Sequence, residues 1–273
     1  MSENPFSVRV DVPVSMVERV VLILDVFARS SGRLTLGQIT TRSRLPRSSV
    51  HRILQQLVDA RWVQRHDNEY SLGLRMFEIG SQVVARTRLT EAAKPSLHDL
   101  SRITGQTVHL AVLDRHDVVY LEKICGDSGN TLPSRIGGRL PAHRTGVGKV
   151  LLAHARHQVT EDYLAHGLSR QTRAGTHDPA RLQASLATIR DLGYATEIGE
   201  AAPGIGCVAA AIFEHDDAVA AVSICGPQQL VQTTEMKLQV IRAAADISRR
   251  IVSRAMAPRF RPAALAGAAR SAR

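Results

Sequence analysis

The stretch TTRSRLPRSSVHRIL, residues 40–54, breaks at Leu45-Pro46 and resumes at once with a helical pattern. Val50, Ile53, Leu54 and Leu57 recur at helical spacing and predict the buried face of a helix running to about Ala60. Pro46 suits the first position of that helix, where its missing N–H costs nothing. The opposite face carries Ser48, His51, Arg52 and Gln55, with Arg47 at its N-terminal edge and Ser49 beside it. A helix start ordinarily favours acidic side chains, because the peptide dipoles leave partial positive charge there. A first turn loaded with Arg, Ser and His makes the opposite choice, which an anionic partner would justify.

Working outward, Ser15-x-x-Glu18 is a capping-box pattern followed by Val17, Val20, Val21, Leu24 and Phe27, and predicts a helix over about 15–29. Thr35-x-x-Gln38 is a second such box and opens a short helix to about Ser43, with Leu36 and Ile39 inward. Beyond the third helix, Trp62–Arg65 and Tyr70–Leu72 read as two short strands around an Asp-Asn turn. Helix, helix, turn, helix and hairpin is the order of a winged helix-turn-helix, whose third helix enters the DNA major groove by its N-terminal residues. Between Arg29 and Arg65 there are eight arginines against one acid, Asp59. An Arg-bearing helix face can be merely solvated, but this succession of elements favours double-stranded DNA as the partner. The expected DNA contacts are Arg47, Ser48, Ser49, His51 and Arg52, with Arg65 on the hairpin reaching a phosphate. Arg can bridge guanine O6 and N7, while Ser and His reach bases or phosphates.

Residues 71–89, SLGLRMFEIGSQVVARTRL, read as a long helix with Leu74, Phe77, Ile79, Val83 and Val84 near one face. Such a helix serves as a plain connector or as a dimer seam. A further helix is expected over about Glu91–Ile103, closed by Gly105. From Thr107 the character changes: TVHLAVLD and VVYLEKI are β-rich runs joined at RHD, and GCVAAAIFEHDDAVAAVSICG repeats the arrangement with a turn at Asp216-Asp217. Helical stretches intervene at about Gly146–Ala155, Glu161–His166 and Pro179–Leu192, and a last helix covers Thr234–Met256. Strands and helices without regular alternation predict an α+β domain around an antiparallel sheet. The expected division is 13–75 for the DNA-binding domain, 76–89 for the linker helix, 90–257 for the second domain and 258–273 for a disordered basic tail.

Composition narrows the function classes. The chain has 273 residues, a net charge of +10, 44% hydrophobic and 4% aromatic residues, so its cores should be aliphatic. Seven arginines follow Asp246 with no acid among them, so the global charge says less than the cluster near Arg47. No run approaches the roughly 18 apolar residues of a membrane span. No signal-peptide pattern is read at the start, and Cys125, Cys207 and Cys225 are widely scattered, so a cytoplasmic protein with reduced thiols is expected.

Seven segments in order then carry a resemblance: ERVVLILDVFA, LPRSSVHRILQQLVDARWV, YSLGLRMFEIG, TGQTVHLAVLD, GGRLPAHRTGVGKVLLA, GYATEIGEAAPGIGCVAAAIF and AVSICGP. Together they resemble the IclR family of transcriptional regulators over nearly the whole chain. The resemblance implies a winged helix-turn-helix, a dimerising linker helix and a GAF-like α+β effector-binding domain. It also implies dimers that commonly pair into tetramers, and small-metabolite effectors, often carboxylic acids. The matching pocket positions are Glu197, Cys207, Ser223 and Cys225, with Leu140 and Ile205 as apolar walls. Glu197 stands where well-known members carry Asp, and Cys225 where some carry Ser. HRTGVGK (143–149) lacks the Gly and the Ser or Thr of a nucleotide-binding loop, since His143 and Val150 occupy those places. Thr145 can instead cap a helix whose first N–H groups, at Gly146 and Val147, meet a carboxylate. The bland alternative is that Gly146 and Gly148 only allow close packing. A Cys-His-acid triad of Cys207, His143 and Glu197 is the hydrolytic alternative, and a protein-interaction module with a vestigial sensor is another. No catalytic residue, cofactor or metal is assigned.

Overall fold

The computed structural model describes residues 15–30, 32–85, 88–126, 132, 134–168 and 178–256, so the basic tail at 258–273 lies outside the described residues. The chain forms two compact units, residues 1–86 and 87–273.

In the first unit, helix α1 (Met16–Ala28) begins at Ser15, whose side chain accepts from the Glu18 N–H while Glu18 reaches back to Ser15. Strand β1 (Leu34–Thr35) leads into α2 (Leu36–Ser43), capped reciprocally by Thr35 and Gln38. The turn to α3 (Arg47–Asp59) places Arg44 in the left-handed region at φ 56° and buries Leu45. Pro46 is the N-cap of α3 at φ −56°, ψ 137°, one position before the first helical one expected for it. Its extended ψ keeps it outside the helix, and its carbonyl accepts from the Val50 N–H. Ile23, Val26, Phe27, Ile39, Leu45, Val50, Ile53, Leu54 and Leu57 close one aliphatic core with Val63 and Tyr70. Strands β2 (Val63–His66) and β3 (Glu69–Leu72) form the wing around Asp67-Asn68. Strand β1 pairs with β3 as well, so the wing is three-stranded; two residues are too short a run to show periodicity in the sequence. Helix α4 (Leu74–Ala85) follows.

The second unit starts with α5 (Arg88–Thr104), three residues earlier than the sequence pattern suggests. Leu89 packs against that unit's core and Thr90 is buried. Two hairpins follow: β4 (Thr107–Asp114) with β5 (Asp117–Ile124), and β8 (Ile205–Glu214) with β9 (Asp217–Pro227). The second hairpin turns at His215-Asp216, one residue before the expected pair, because His215 takes the left-handed φ of 56° and Asp217 already pairs with Glu214. With β6 (Arg139–Pro141) and β7 (Ala195–Ile198), the antiparallel sheet runs β6-β5-β4-β9-β8-β7, the hairpins meeting at the β4–β9 seam.

Strict alternation sorts the sheet into two faces. Val208, Ala210, Ile212, Val222 and Ile224 pack with Leu97 and Leu100 of α5 and with Val240 and Ile247 of α10 (Thr234–Met256). Ala209, Ala211 and Ala221 pack on the other face with α6 (Gly146–His154), α7 (His157–His166) and α8 (Pro179–Leu192). Those alanines let α6 lie close to the sheet, a helix buried from Gly146 to Ala153. A short helix, α9 (Gln228–Val231), completes the elements of this unit.

Candidate DNA interface and ligand cavity

In the first unit, Arg47, Ser48, His51 and Arg52 are exposed on one side of α3 and Ser49 is half-buried. The first turn holds no acid and no side chain caps it. Arg47 and Arg52 have no hydrogen-bond or ion-pair partner among the described residues. A buried aliphatic face thus holds in place a helix start with free guanidinium groups and unengaged N–H donors. Arg65 is exposed on β2, where its Nε donates to the Asp67 carbonyl at 2.8 Å and braces the turn of the wing.

The second unit contains a cavity of about 40 Å³ between α6 and the sheet. Leu140, Gly146, Val147, Glu197, Ile205, Cys207, Ser223 and Cys225 all line it. The odd-numbered positions of β7, β8 and β9 share the face toward α6, which explains why Glu197, Cys207, Ser223 and Cys225 converge. Glu197 pairs across the strands with Cys207, and Cys207 with Cys225. Sequence reasoning missed His109, Tyr120, Leu132, Ser134, Ala201 and Ala202 as lining residues, while Thr145, read as the cap of the helix start, lines the cavity as well. His109 was legible in principle: a lone ring in the run TVHLAVLD, two positions from Ala111 on the same face. Tyr120 becomes a neighbour of His109 through the β5–β4 pairing, and Nε2 of His109 lies 2.8 Å from the Ser134 hydroxyl.

The mouth of α6 is built for close approach. Thr145 is the N-cap and accepts from the Gly148 N–H at 2.9 Å. The two glycines have different reasons. A Cβ on Gly148 would stand 2.1 Å from the Ala142 carbonyl oxygen, so this position is set by packing. A Cβ on Gly146 would meet the Cys207 sulfur at 3.0 Å, inside the cavity wall. The amides of Gly146 and Val147 belong to the turn whose N–H groups have no intrahelical acceptor.

Charges around the cavity are few. Glu197 is 2% exposed, and burial pushes its carboxyl up to about 7, despite N–H bonds from Ala201 and Glu200 that favour the anion. Behind it, buried Lys149 pairs with Glu200, and Arg144 donates to the Glu200 carbonyl at 2.8 Å. Tyr120 stays a neutral phenol, its pKa raised by burial and then by the neighbouring Cys225, Cys207 and Glu197. The hydrolytic triad is not assembled. Cys207 and Glu197 line the cavity, whereas His143 does not, and its Nδ1 is 2.6 Å from the Tyr163 hydroxyl. The described residues contain no group of three or more metal-ligating side chains in a suitable cluster, and no helix long and apolar enough to cross a membrane.

Comparison with known proteins gives this geometry a family. Residues 16–67 match the IclR helix-turn-helix domain, and residues 81–250 match the bacterial transcriptional regulator IclR C-terminal domain. The transcriptional repressor IclR of Escherichia coli is 32% identical over 244 residues, covering 86% of this chain and 89% of that protein. The HTH-type transcriptional regulator BhcR of Paracoccus denitrificans is 36% identical over 250 residues, covering 89% and 88%. Among solved structures, an IclR homolog from Microbacterium hydrocarbonoxydans complexed with 4-hydroxybenzoate superposes with a TM-score of 0.78 at 29% identity, covering 88% of this chain and 100% of that one. The Thermotoga maritima IclR gives a TM-score of 0.69 at 29% identity, covering 86% and 98%. With both of its units matched in chain order, this chain belongs to the IclR family, as a DNA-binding transcriptional regulator.

Proposed function

We propose that this regulator binds operator DNA through the first turn of α3 and the wing, and that a small organic acid in the cavity sets its operator affinity. The observation that carries the sensor half is the convergence of eight expected residues, from β6, α6, β7, β8 and β9, on one cavity at a capped helix start. A carboxylate finds donors there in the Gly146 and Val147 amides. Tyr120, Ser134 and Ser223 offer hydroxyls, and Leu140 and Ile205 face the ligand body. The complex of a similar structure with 4-hydroxybenzoate supports an acid as the ligand class. A free space of about 40 Å³ is far below the hundreds of Å³ usual for ligand pockets, so a bound acid must displace part of the lining.

The linked assembly is a dimer, or a pair of dimers, reading a pseudo-palindrome with half-sites about 10 bp or a multiple apart. It is supported by the apolar exposure of α4, where Leu74 and Phe77 are 65% and 71% exposed and Val83 is 70% exposed. Coupling requires that the acid bind one arrangement of the recognition helices better than another. A coupling of about 1–3 kcal/mol changes operator affinity roughly 5–150-fold. Calorimetry against aliphatic, 2-oxo and aromatic acids, followed by DNA titration with and without the binder, tests this. Binding of a small organic acid with a shift in operator affinity is expected. Absence of any acid binding, or an unchanged operator affinity at saturation, overturns the sensor reading.

A further inference from the structure

Two of the three thiols lie side by side in the cavity wall. Cys207 on β8 and Cys225 on β9 are direct cross-strand partners, and neither is in a disulfide. Partners opposite each other in an antiparallel pair have Cα atoms about 4.5–5.5 Å apart, within the span a disulfide bridges. Both side chains point to the α6 face, and the two thiols hydrogen-bond each other. Cys207 is held in place by the start of α6, which approaches so closely that Gly146 has no room for a Cβ beyond 3.0 Å from its sulfur.

The surroundings of the two sulfurs differ in kind. Cys225 is half-buried, with the Ser223 hydroxyl 3.6 Å from its sulfur and His109 alongside. The bond from the Cys207 thiol, and then the nearby imidazole, hold the Cys225 thiol well below the usual thiol range. Cys207 is pushed up, first by that same bond to Cys225 and then by burial. Of the two, the Cys225 sulfur is therefore the easier to deprotonate. The thiolate is the reactive form of cysteine.

We propose that Cys225 and Cys207 are a reversible redox pair, oxidised by a hydroperoxide to a disulfide across β8 and β9. In the first step the Cys225 thiolate attacks the distal peroxide oxygen. An S–O bond forms and the O–O bond breaks. Sulfur loses two electrons, and the peroxide is reduced to an alcohol, or to water from hydrogen peroxide, taking up a proton. In the second step Cys207, losing its proton, attacks the sulfenic sulfur; the S–S bond forms, the S–O bond breaks, and the hydroxyl leaves as water. Two thiols and one hydroperoxide give one disulfide, one alcohol and one water. The reaction stands whether or not an organic acid binds, and it removes two thiol groups from the cavity lining.

The test uses the full chain carrying Cys125→Ser, which deletes the exposed thiol outside the cavity. Hydrogen peroxide is titrated in, the remaining thiols are alkylated, and intact mass and non-reduced peptide maps are read. The expected result is a loss of about 2 Da, a linked peptide joining Cys207 to Cys225, and full reversal by dithiothreitol. Cys207→Ser should leave Cys225 trappable by dimedone, whereas Cys225→Ser should leave Cys207 alkylatable at the same dose. The proposal is overturned if both thiols remain alkylatable after peroxide, or if Cys225 passes to sulfinic acid while Cys207 is present.

Discussion

At the scale of single residues, the two units use charge in opposite ways. Arg47 and Arg52 stand free in water, so each is available to an anion at small desolvation cost. Loss of a bidentate Arg–guanine contact costs about 1–3 kcal/mol and relaxes one base position, whereas loss of a phosphate contact weakens all sequences alike and shallows the salt slope by about one. Arg47→Ala and Arg52→Ala should each show one of these two signatures in operator titrations at several salt concentrations. Wild-type behaviour in both would mean that this face of α3 does not meet DNA. Glu197 is the opposite case, a buried carboxyl pushed up to about 7. Below pH 7 it is neutral and can donate to a bound carboxylate; above pH 7 it becomes a buried anion beside an anionic ligand. Acid affinity should therefore fall as pH rises from 6 to 8, and Glu197→Gln should flatten that profile. A profile unchanged by the substitution would remove Glu197 from contact with the ligand.

At the scale of elements, helix α4 turns outward what a helix usually hides. Phe77 and Val83 are six residues apart and both more than two-thirds exposed, with Leu74 one turn before Phe77. Fully burying each such side chain is worth about 1.5–3 kcal/mol, a gain that works against the roughly 4–15 kcal/mol cost of association and so favours pairing of two chains through α4. Light scattering of the wild type at that concentration should show a dimer or tetramer, and Phe77→Asp should lower the mass. A wild-type monomer would count against α4 as an association surface. The expected helices of the first unit were readable because capping boxes and helical periodicity are local signals: Ser15 with Glu18 and Thr35 with Gln38 both close as reciprocal caps. Period two was equally readable in both hairpins, but it does not say which strands of different hairpins pair. The β4–β9 seam, which sets His109 opposite Ser223, is therefore invisible to local pattern. So are β6 and β7, each held only by one neighbour at the sheet edge.

At the scale of the whole molecule, family motifs supplied what periodicity could not: they named eight positions spread from Leu140 to Cys225, and the sheet and the start of α6 bring these to one cavity. Two of the positions they did not name, His109 and Tyr120, come from the first hairpin, whose sequence reads simply as strands. The long reach of the β4–β9 seam also has a consequence for synthesis. The recognition helix and the wing are complete at Leu72, but the cavity has no central wall until β9 ends at Pro227. A ribosome adding about 5–20 residues per second takes roughly 8–30 s to cover that interval. During it, each nascent chain exposes a finished DNA-reading helix with no means of hearing a metabolite, so the cell receives the reader before the listener.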